Sequence, residues 1–280
     1  MAVPPLVPIE TRPLFAELDR LLLDLLRALA PDDWQRPTLA QLWTVKDVAA
    51  HLLDGNLRTL SMLRDGHFGE APDDFDYAGI VAYLNRLNAD WVRAARRLSP
   101  AVLIELLAQS GAEYTAYLHT LDPWAPAAFS VAWAGETESL NWFHIARDYT
   151  EKWHHQQQIR EAVGQTAALL APALFRPCLA TLLRGLPHAY RQVAAPVGAR
   201  VQVCIETEAG GTWALERTGA GWELVPPATA PPAAGITLGP DVAWKLFTKG
   251  MPPAEARQHA RVTGDEALAA AVFGLIAVMG

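Results

Sequence analysis

The chain has 280 residues, half of them hydrophobic, with 30 acidic side chains against 23 Lys and Arg and a formal charge of −7. That length allows two domains, or one large one, around a substantial core, and the acidic balance excludes a basic nucleic-acid-binding face. Two cysteines, Cys178 and Cys204, make neither a disulfide framework nor a cysteine-based zinc site, which points to a reducing compartment, the cytoplasm.

Met1-Ala2-Val3-Pro4-Pro5 has no basic stretch followed by an apolar run, so no signal peptide is expected. Ile9 to Leu29 is apolar at helical spacing and stops at Pro31-Asp32-Asp33. Thr44-Val45-Lys46-Asp47 has the form of a capping box with Asp in place of Glu, and it opens an amphipathic helix to about Arg64, ended by Asp65-Gly66. A third helix is predicted over Tyr77 to Leu98. Ser99-Pro100 supplies an N-cap and a proline at the first helical position, opening a fourth helix to about Leu121. Asp122 to Glu138 reads as a long loop. A fifth helix follows from about Ser139 to Val163, with Gly164 as its stop.

The second half has a different texture. Residues 167 to 190 look helical. Arg200 to Thr207 then alternates with period two, as a half-buried strand does. Gly210-Gly211 signals a hairpin into Thr212 to Arg217, and Gly219-Ala220-Gly221 a second turn before Trp222 to Val225. Pro226 to Pro232 is a Pro/Ala loop, Gly235 to Leu238 a further strand, and Asp241 to Lys249 and Asp265 to Val278 are helical. The longest apolar run, Ala267 to Met279, is too short to span a bilayer and reads as a buried final helix. The expected organisation is an all-helical bundle over residues 1–165 and a small α+β domain over 166–280.

Glu151 and His155 are spaced i, i+4 and project from one face of the fifth helix. One imidazole from another helix, with His51 the candidate, would complete a His/Glu/His set. Three protein ligands and an open position is the form metal catalysis uses. His144, Asp148, Glu151, His155 and Gln158 share one stripe of the helical wheel. That stripe faces either water or the bundle interior; Trp142, Phe143 and Trp153 lie elsewhere on the wheel, so periodicity leaves both open. His51 lies beside the apolar stripe of its own helix, where a lone histidine is more often solvated or hydrogen-bonded than metal-bound. Glu151-x-x-His154 has the spacing used in di-iron bundles, but the sequence holds no second copy. Of the ten tryptophans, seven precede residue 165; they either line an apolar pocket or, as is commoner for aromatics, fill the core.

Trp43-Thr44-Val45-Lys46-Asp47-Val48-Ala49-Ala50-His51 resembles the W-T-V-x-D-V-x-x-H element of the mycothiol-dependent maleylpyruvate isomerase N-terminal domain, within the DinB-like superfamily. Arg147 to Gly164 resembles that family's later helix, which carries Glu-x-x-x-His. Gly235-Ile236-Thr237-Leu238 through Val262-Thr263-Gly264-Asp265 resembles the sterol-carrier-like domain often fused to it. The resemblance implies an up-down four-helix bundle of DinB type holding a divalent metal, commonly zinc, on His51, Glu151 and His155. His154 is the main rival for the third position and His144 a weaker one; Asp148 and Gln158 would orient the ligands. Nickel, iron and manganese suit such a donor set as well.

The resemblance further implies that the open position takes a low-molecular-weight thiol such as mycothiol. Its thiolate would add to an activated double bond and then leave, giving isomerisation, or stay, giving transfer. Arg58, seven residues after His51 on the same helix face, is the candidate to hold a substrate carboxylate, with a surface arginine as the alternative. Arg257 and Arg261 are candidates by position in the second domain. The expected partners are a small-molecule substrate and the thiol, with no nucleic acid and no membrane, in a monomer rather than a homodimer. Two competing readings are a binding protein with a closed four-ligand metal site, using His154 or His144, and a thiol-independent metallohydrolase.

Overall fold

The computed structural model describes residues 8–278; the reading of Met1 to Pro5 and the Met279 end of the last apolar run lie outside them. The first helix, α1 (Phe15–Ala28), starts later than Ile9, after a 3-10 turn over Arg12–Leu14 that contains Pro13. It buries Leu18, Leu22, Leu25 and Leu26 along one face. Helix α2 (Val45–Thr59) begins at the expected capping box: the Thr44 hydroxyl accepts from the Asp47 amide at 3.3 Å, and the Asp47 carboxylate from the Thr44 amide at 3.1 Å. A π-helical turn carries it on to Arg64. Asp76 caps α3 (Tyr77–Ala95) and Ser99 caps α4 (Pro100–Thr120), each accepting from the amide three residues on. Helix α5 (Asn141–Ala162) ends at Gly164, whose φ of +72° suits a residue without a Cβ.

Helices α1 and α2 each pack against both α4 and α5. These four close a core around Leu22, Leu26, Val48, Leu53, Leu103, Leu107 and Ile159. Helix α3 lies on the outside of α2. The Trp91 indole donates to the Ala50 carbonyl at 2.8 Å, and Arg96 grips the Asp47 carboxylate at 2.9 and 3.0 Å.

The second half is a mixed-sheet α+β domain. After a 3-10 turn come α6 (Pro172–Leu182) and α7 (Leu186–Ala189), then β1 (Arg200–Ile205), β2 (Gly211–Arg217), β3 (Trp222–Val225) and β4 (Ala234–Leu238). The chain continues through α8 (Pro240–Phe247), α9 (Pro253–Gln258), β5 (Arg261–Gly264) and α10 (Glu266–Ala270). Strand order is β3-β2-β1-β4-β5, with β1 and β4 parallel and the other pairs antiparallel. The period-two pattern of β1 turns Val201, Val203 and Ile205 into the core.

The two halves share one core. Trp153 of α5 stacks on Phe175 of α6 at 5.1 Å and meets Trp244 of α8 edge-on at 6.0 Å. Six of the ten tryptophans are buried, so the core is their main use.

The last apolar run is buried, but it is not a single helix. After the five residues of α10 the chain tightens into a 3-10 turn over Ala271–Gly274 and then extends from Leu275. Glycine is a poor helix residue, and the tail gains a different partner: the Ala277 amide donates to the Phe247 carbonyl at 2.9 Å. Helix α9 and strand β5 add to the expected elements. No helix of the described residues is long and apolar enough to cross a membrane.

Candidate metal centre

Helix α5 is buried on nearly every side, between α1 and α2 of the bundle and α6 of the second half. His144, Asp148, Lys152, His154, His155, Gln158 and Arg160 are all buried. The polar stripe therefore faces the interior. Most of the buried polar side chains of α5 are accounted for by protein partners. Lys152 pairs with Asp19 at 2.8 Å, Arg160 donates to the Leu21 carbonyl at 2.9 Å, and Asp148 accepts from the Tyr114 hydroxyl at 2.8 Å and pairs with Arg147 at 2.9 Å.

The exception lies one turn further along, where α5 faces α2. The His51 ring stands 4.6 Å from that of His155, centroid to centroid, at 78°. The His155 Nε2 is 3.7 Å from the Glu151 carboxylate. Glu151, His154 and His155 each bring a donor atom within 4.8 Å of the others, a cluster that can hold a metal ion. His51 approaches it from α2 by way of His155. Trp43, the residue before the capping box, covers one side, 4.8 Å from His51 and 6.3 Å from His155.

Hydrogen bonds fix the tautomers. The His155 Nδ1 lies 2.9 Å from the Gln158 amide oxygen, and the His154 Nδ1 lies 2.9 Å from the Thr150 carbonyl. Both oxygens only accept, so both Nδ1 atoms carry protons and both Nε2 atoms keep a lone pair. Burial lowers the pKa of His154 to about 4, opposed by the Thr150 carbonyl, and that of His155 to about 3. His51 is pushed well down by burial, then by His155 and Arg58. All three imidazoles are neutral at pH 7, the form that binds metals. Burial raises the Glu151 carboxyl, offset by His155 and Arg147.

The His51 Nδ1 is buried with no hydrogen-bond partner among the described residues. A buried orphan on the ring that meets His155, at the edge of the Glu151, His154 and His155 cluster, fits a cation as the missing partner.

Arg58 is held, not free: its Nε is 3.0 Å from the Asp54 carboxylate and its Nη2 donates to Asn88 of α3 at 2.8 Å. Burial, opposed by Arg58, raises the Asp54 pKa to about 6. Of the two orienting residues named from sequence, Gln158 touches a ring of the cluster, whereas Asp148 faces Tyr114 and Arg147. His144 bonds Arg147 at 3.0 Å, away from the cluster. Arg257 and Arg261 form ion pairs with Glu266 and Glu206 in the second half. Sequence reasoning gave no role to Trp43 or to the Thr150 carbonyl. The signals were a tryptophan fixed one residue before an N-cap, and a residue four before His154 on the same helix.

Residues 15–160 match the family model of the mycothiol maleylpyruvate isomerase N-terminal domain. Among solved structures, the crystal structure of a histidine-to-alanine mutant of the mycothiol-dependent maleylpyruvate isomerase superposes with a TM-score of 0.55 at 11% identity, over 92% of this chain and 93% of that one. The crystal structure of the mycothiol-dependent maleylpyruvate isomerase gives 0.48 at 11% identity, over 86% and 88%. Sterol carrier protein 2-like 2 from Aedes aegypti gives 0.27 at 20% identity, over 35% of this chain and 95% of that one. At 11% identity the first of these likenesses shows a shared fold. No curated protein matches the sequence.

Proposed function

Since the chain belongs to the family of the mycothiol maleylpyruvate isomerase N-terminal domain, we propose that it is a metal-dependent enzyme that uses a low-molecular-weight thiol, such as mycothiol, to isomerise or thiolate a small organic acid or electrophile. The observation that carries this reading is the contact of the His51 ring, whose Nδ1 is buried and unpartnered, with His155 of the Glu151, His154 and His155 cluster. His51, Glu151 and His155 would hold the ion, with zinc the first choice and nickel, iron or manganese compatible. A divalent metal bound there supplies the Lewis acidity that keeps a thiol ionised near neutral pH.

The chain's own residues do the rest. Gln158 fixes the His155 tautomer so that Nε2 points its lone pair into the cluster. The Trp43 ring covers His51 and keeps water from that side. Arg58 is assigned the substrate carboxylate, which it would meet with the part of its guanidinium not engaged by Asp54 and Asn88. Neither cysteine is needed: burial raises the Cys178 thiol well above its ordinary range, making it a poor nucleophile. The protein is taken as a cytoplasmic monomer. A second reading, a metal-holding small-molecule binder without turnover, draws on the nearness of His154 to the cluster.

The test is metal content per chain in wild type and in His51→Ala, Glu151→Ala and His155→Ala, on protein made without a histidine tag, followed by assay of cis–trans isomerisation with and without added thiol. About one equivalent in wild type, lost in all three variants, together with thiol-dependent turnover, is expected. A metal-free wild type that stays so after reconstitution would overturn the proposal; metal binding without turnover would favour the second reading.

A further inference from the structure

We propose that Gly55 is a specificity-determining residue: its missing side chain keeps open the approach by which a thiol with a bulky body reaches the His/Glu cluster. The inference rests on the thiol and metal reading above. Gly55 lies inside α2, four residues after His51 and three before Arg58, so the three share one face of the helix. At one end of this strip the His51 ring meets His155 of α5; at the other, Arg58 is tied to Asn88 of α3. Between them, a Cβ added at Gly55 would meet no atom within 4 Å among the described residues.

Glycine weakens a helix interior relative to alanine, because it loses the most backbone freedom on folding. Gly111 of α4 has a packing reason to be glycine: a Cβ there would stand 2.7 Å from the Asp19 carboxylate. Gly55 has no such neighbour, and its backbone is not left-handed. Neither packing nor conformation asks for glycine here, and what the residue provides is the space itself.

The side chains of a helix lean toward its N-terminus, so a longer one at position 55 would lie over the turn that carries His51. The facing wall opens too. From Trp142 to Arg160 every residue of α5 is buried except Arg147 and Glu151, one turn apart. The Glu151 carboxyl feels the charges of Arg147 and Arg58, which sets the two strips toward each other. An approach lined by His51, Arg58, Arg147 and Glu151 is polar, and it suits a thiol carried on a hydrophilic body.

The experiment compares full-length wild type, Gly55→Ala and Gly55→Leu. Metal-free Gly55→Ala is expected to melt about 1–3 °C above wild type; no gain would mean that the glycine costs nothing, and would overturn the proposal. Each protein is then loaded with cobalt, and binding of 2-mercaptoethanol and of mycothiol is followed by thiolate-to-cobalt absorption. All three are expected to take up cobalt and to bind 2-mercaptoethanol alike, whereas Gly55→Leu binds mycothiol weaker than wild type by about tenfold or more. Equal effects on both thiols, or a wild type that takes 2-mercaptoethanol but not mycothiol, would overturn the role of Gly55 and leave the metal reading intact. A wild type that binds no cobalt, or cobalt but neither thiol, would overturn the reading on which the inference rests. If Gly55→Leu fails to fold, Gly55→Ala carries the same comparison, with a loss of about threefold or more expected for mycothiol alone.

Discussion

The imidazole of His155 is braced from behind by Gln158, Nδ1 to Oε1 at 2.9 Å, while its face meets His51 across the α2–α5 contact. The brace chooses the tautomer, and the tautomer decides whether Nε2 can ligate. Gln158→Leu keeps the bulk and removes the acceptor. It is expected to weaken metal binding by about 10- to 100-fold with the fold retained. Cobalt titration followed by visible absorption, with circular dichroism as the fold control, checks it; unchanged affinity would count against the bracing role.

Asp54 gives a stability signature in the metal-free protein. Its folded pKa of about 6 lies above its ordinary value of 3.8, chiefly through burial. The folded state therefore holds this proton more tightly than the unfolded state. Its contribution is fully present below about pH 4 and is lost as pH rises through about 6. The ceiling on the effect is about 3 kcal/mol, at about 1.4 kcal/mol per pH unit of displacement. Asp54→Asn should lack this slope, so its stability relative to wild type should rise between pH 4 and pH 7. Urea unfolding across that range tests it; parallel profiles would refute it.

Asp47 acts in the opposite sense. Its carboxylate closes the capping box with Thr44 and accepts from two nitrogens of Arg96. Burial would raise its pKa, but the Arg96 and Thr44 bonds outweigh that and hold it below the ordinary range. Its contribution is present at neutral pH and is lost as pH falls through the depressed value. Asp47→Ala should cost about 2–3 kcal/mol at pH 7, from the lost cap and the charged hydrogen bonds together. Since α2 carries His51 one turn further on, metal affinity should fall as well. Unfolding and titration of the same variant measure both; a loss below about 0.5 kcal/mol would contradict the role given to the box.

Gly264 ends β5 at φ +76°, and a Cβ there would stand 2.2 Å from the Ala233 carbonyl oxygen. Backbone, not a flexible side chain, is the obstacle. Gly264→Ala should destabilise the protein by about 2 kcal/mol or more. The melting temperature of the purified variant reads this directly, and an unchanged value would mean that the sheet edge gives way freely.

The starts of α2 and α4 and the stop of α5 were legible because their signals are local. Thr44 with Asp47, Ser99 with Pro100, and Gly164 each act within one turn. The β1–β2 hairpin was legible for the same reason. Strand β5 is four residues long and exists by pairing with β4 across a helical excursion, a relation that no short window contains. The final run was apolar enough to be recognised as buried, but its break at Gly274 and its tie to Phe247 depend on tertiary contact. The orientation of the α5 stripe was illegible because α5 is buried almost all round, so no wet face stood opposite an apolar one. The convergence of His154 on His155 was hidden for a related reason: adjacent positions on a wheel diverge, and only the rotamers chosen here bring the rings together.

Trp153 touches both Phe175 and Trp244, so the sheet domain shares its hydrophobic interior with α5, while the bundle keeps a second cluster around Leu22, Leu53 and Leu103. Trp153 sits between His154 and Lys152 on the helix that carries the imidazoles, while its ring rests on elements of the sheet domain. Heating should therefore melt bundle and sheet in a single cooperative step, seen as one calorimetric peak. It follows that the sheet domain acts on the His/Glu cluster mechanically: whatever loosens its grip on that indole loosens the helix that carries the cluster too.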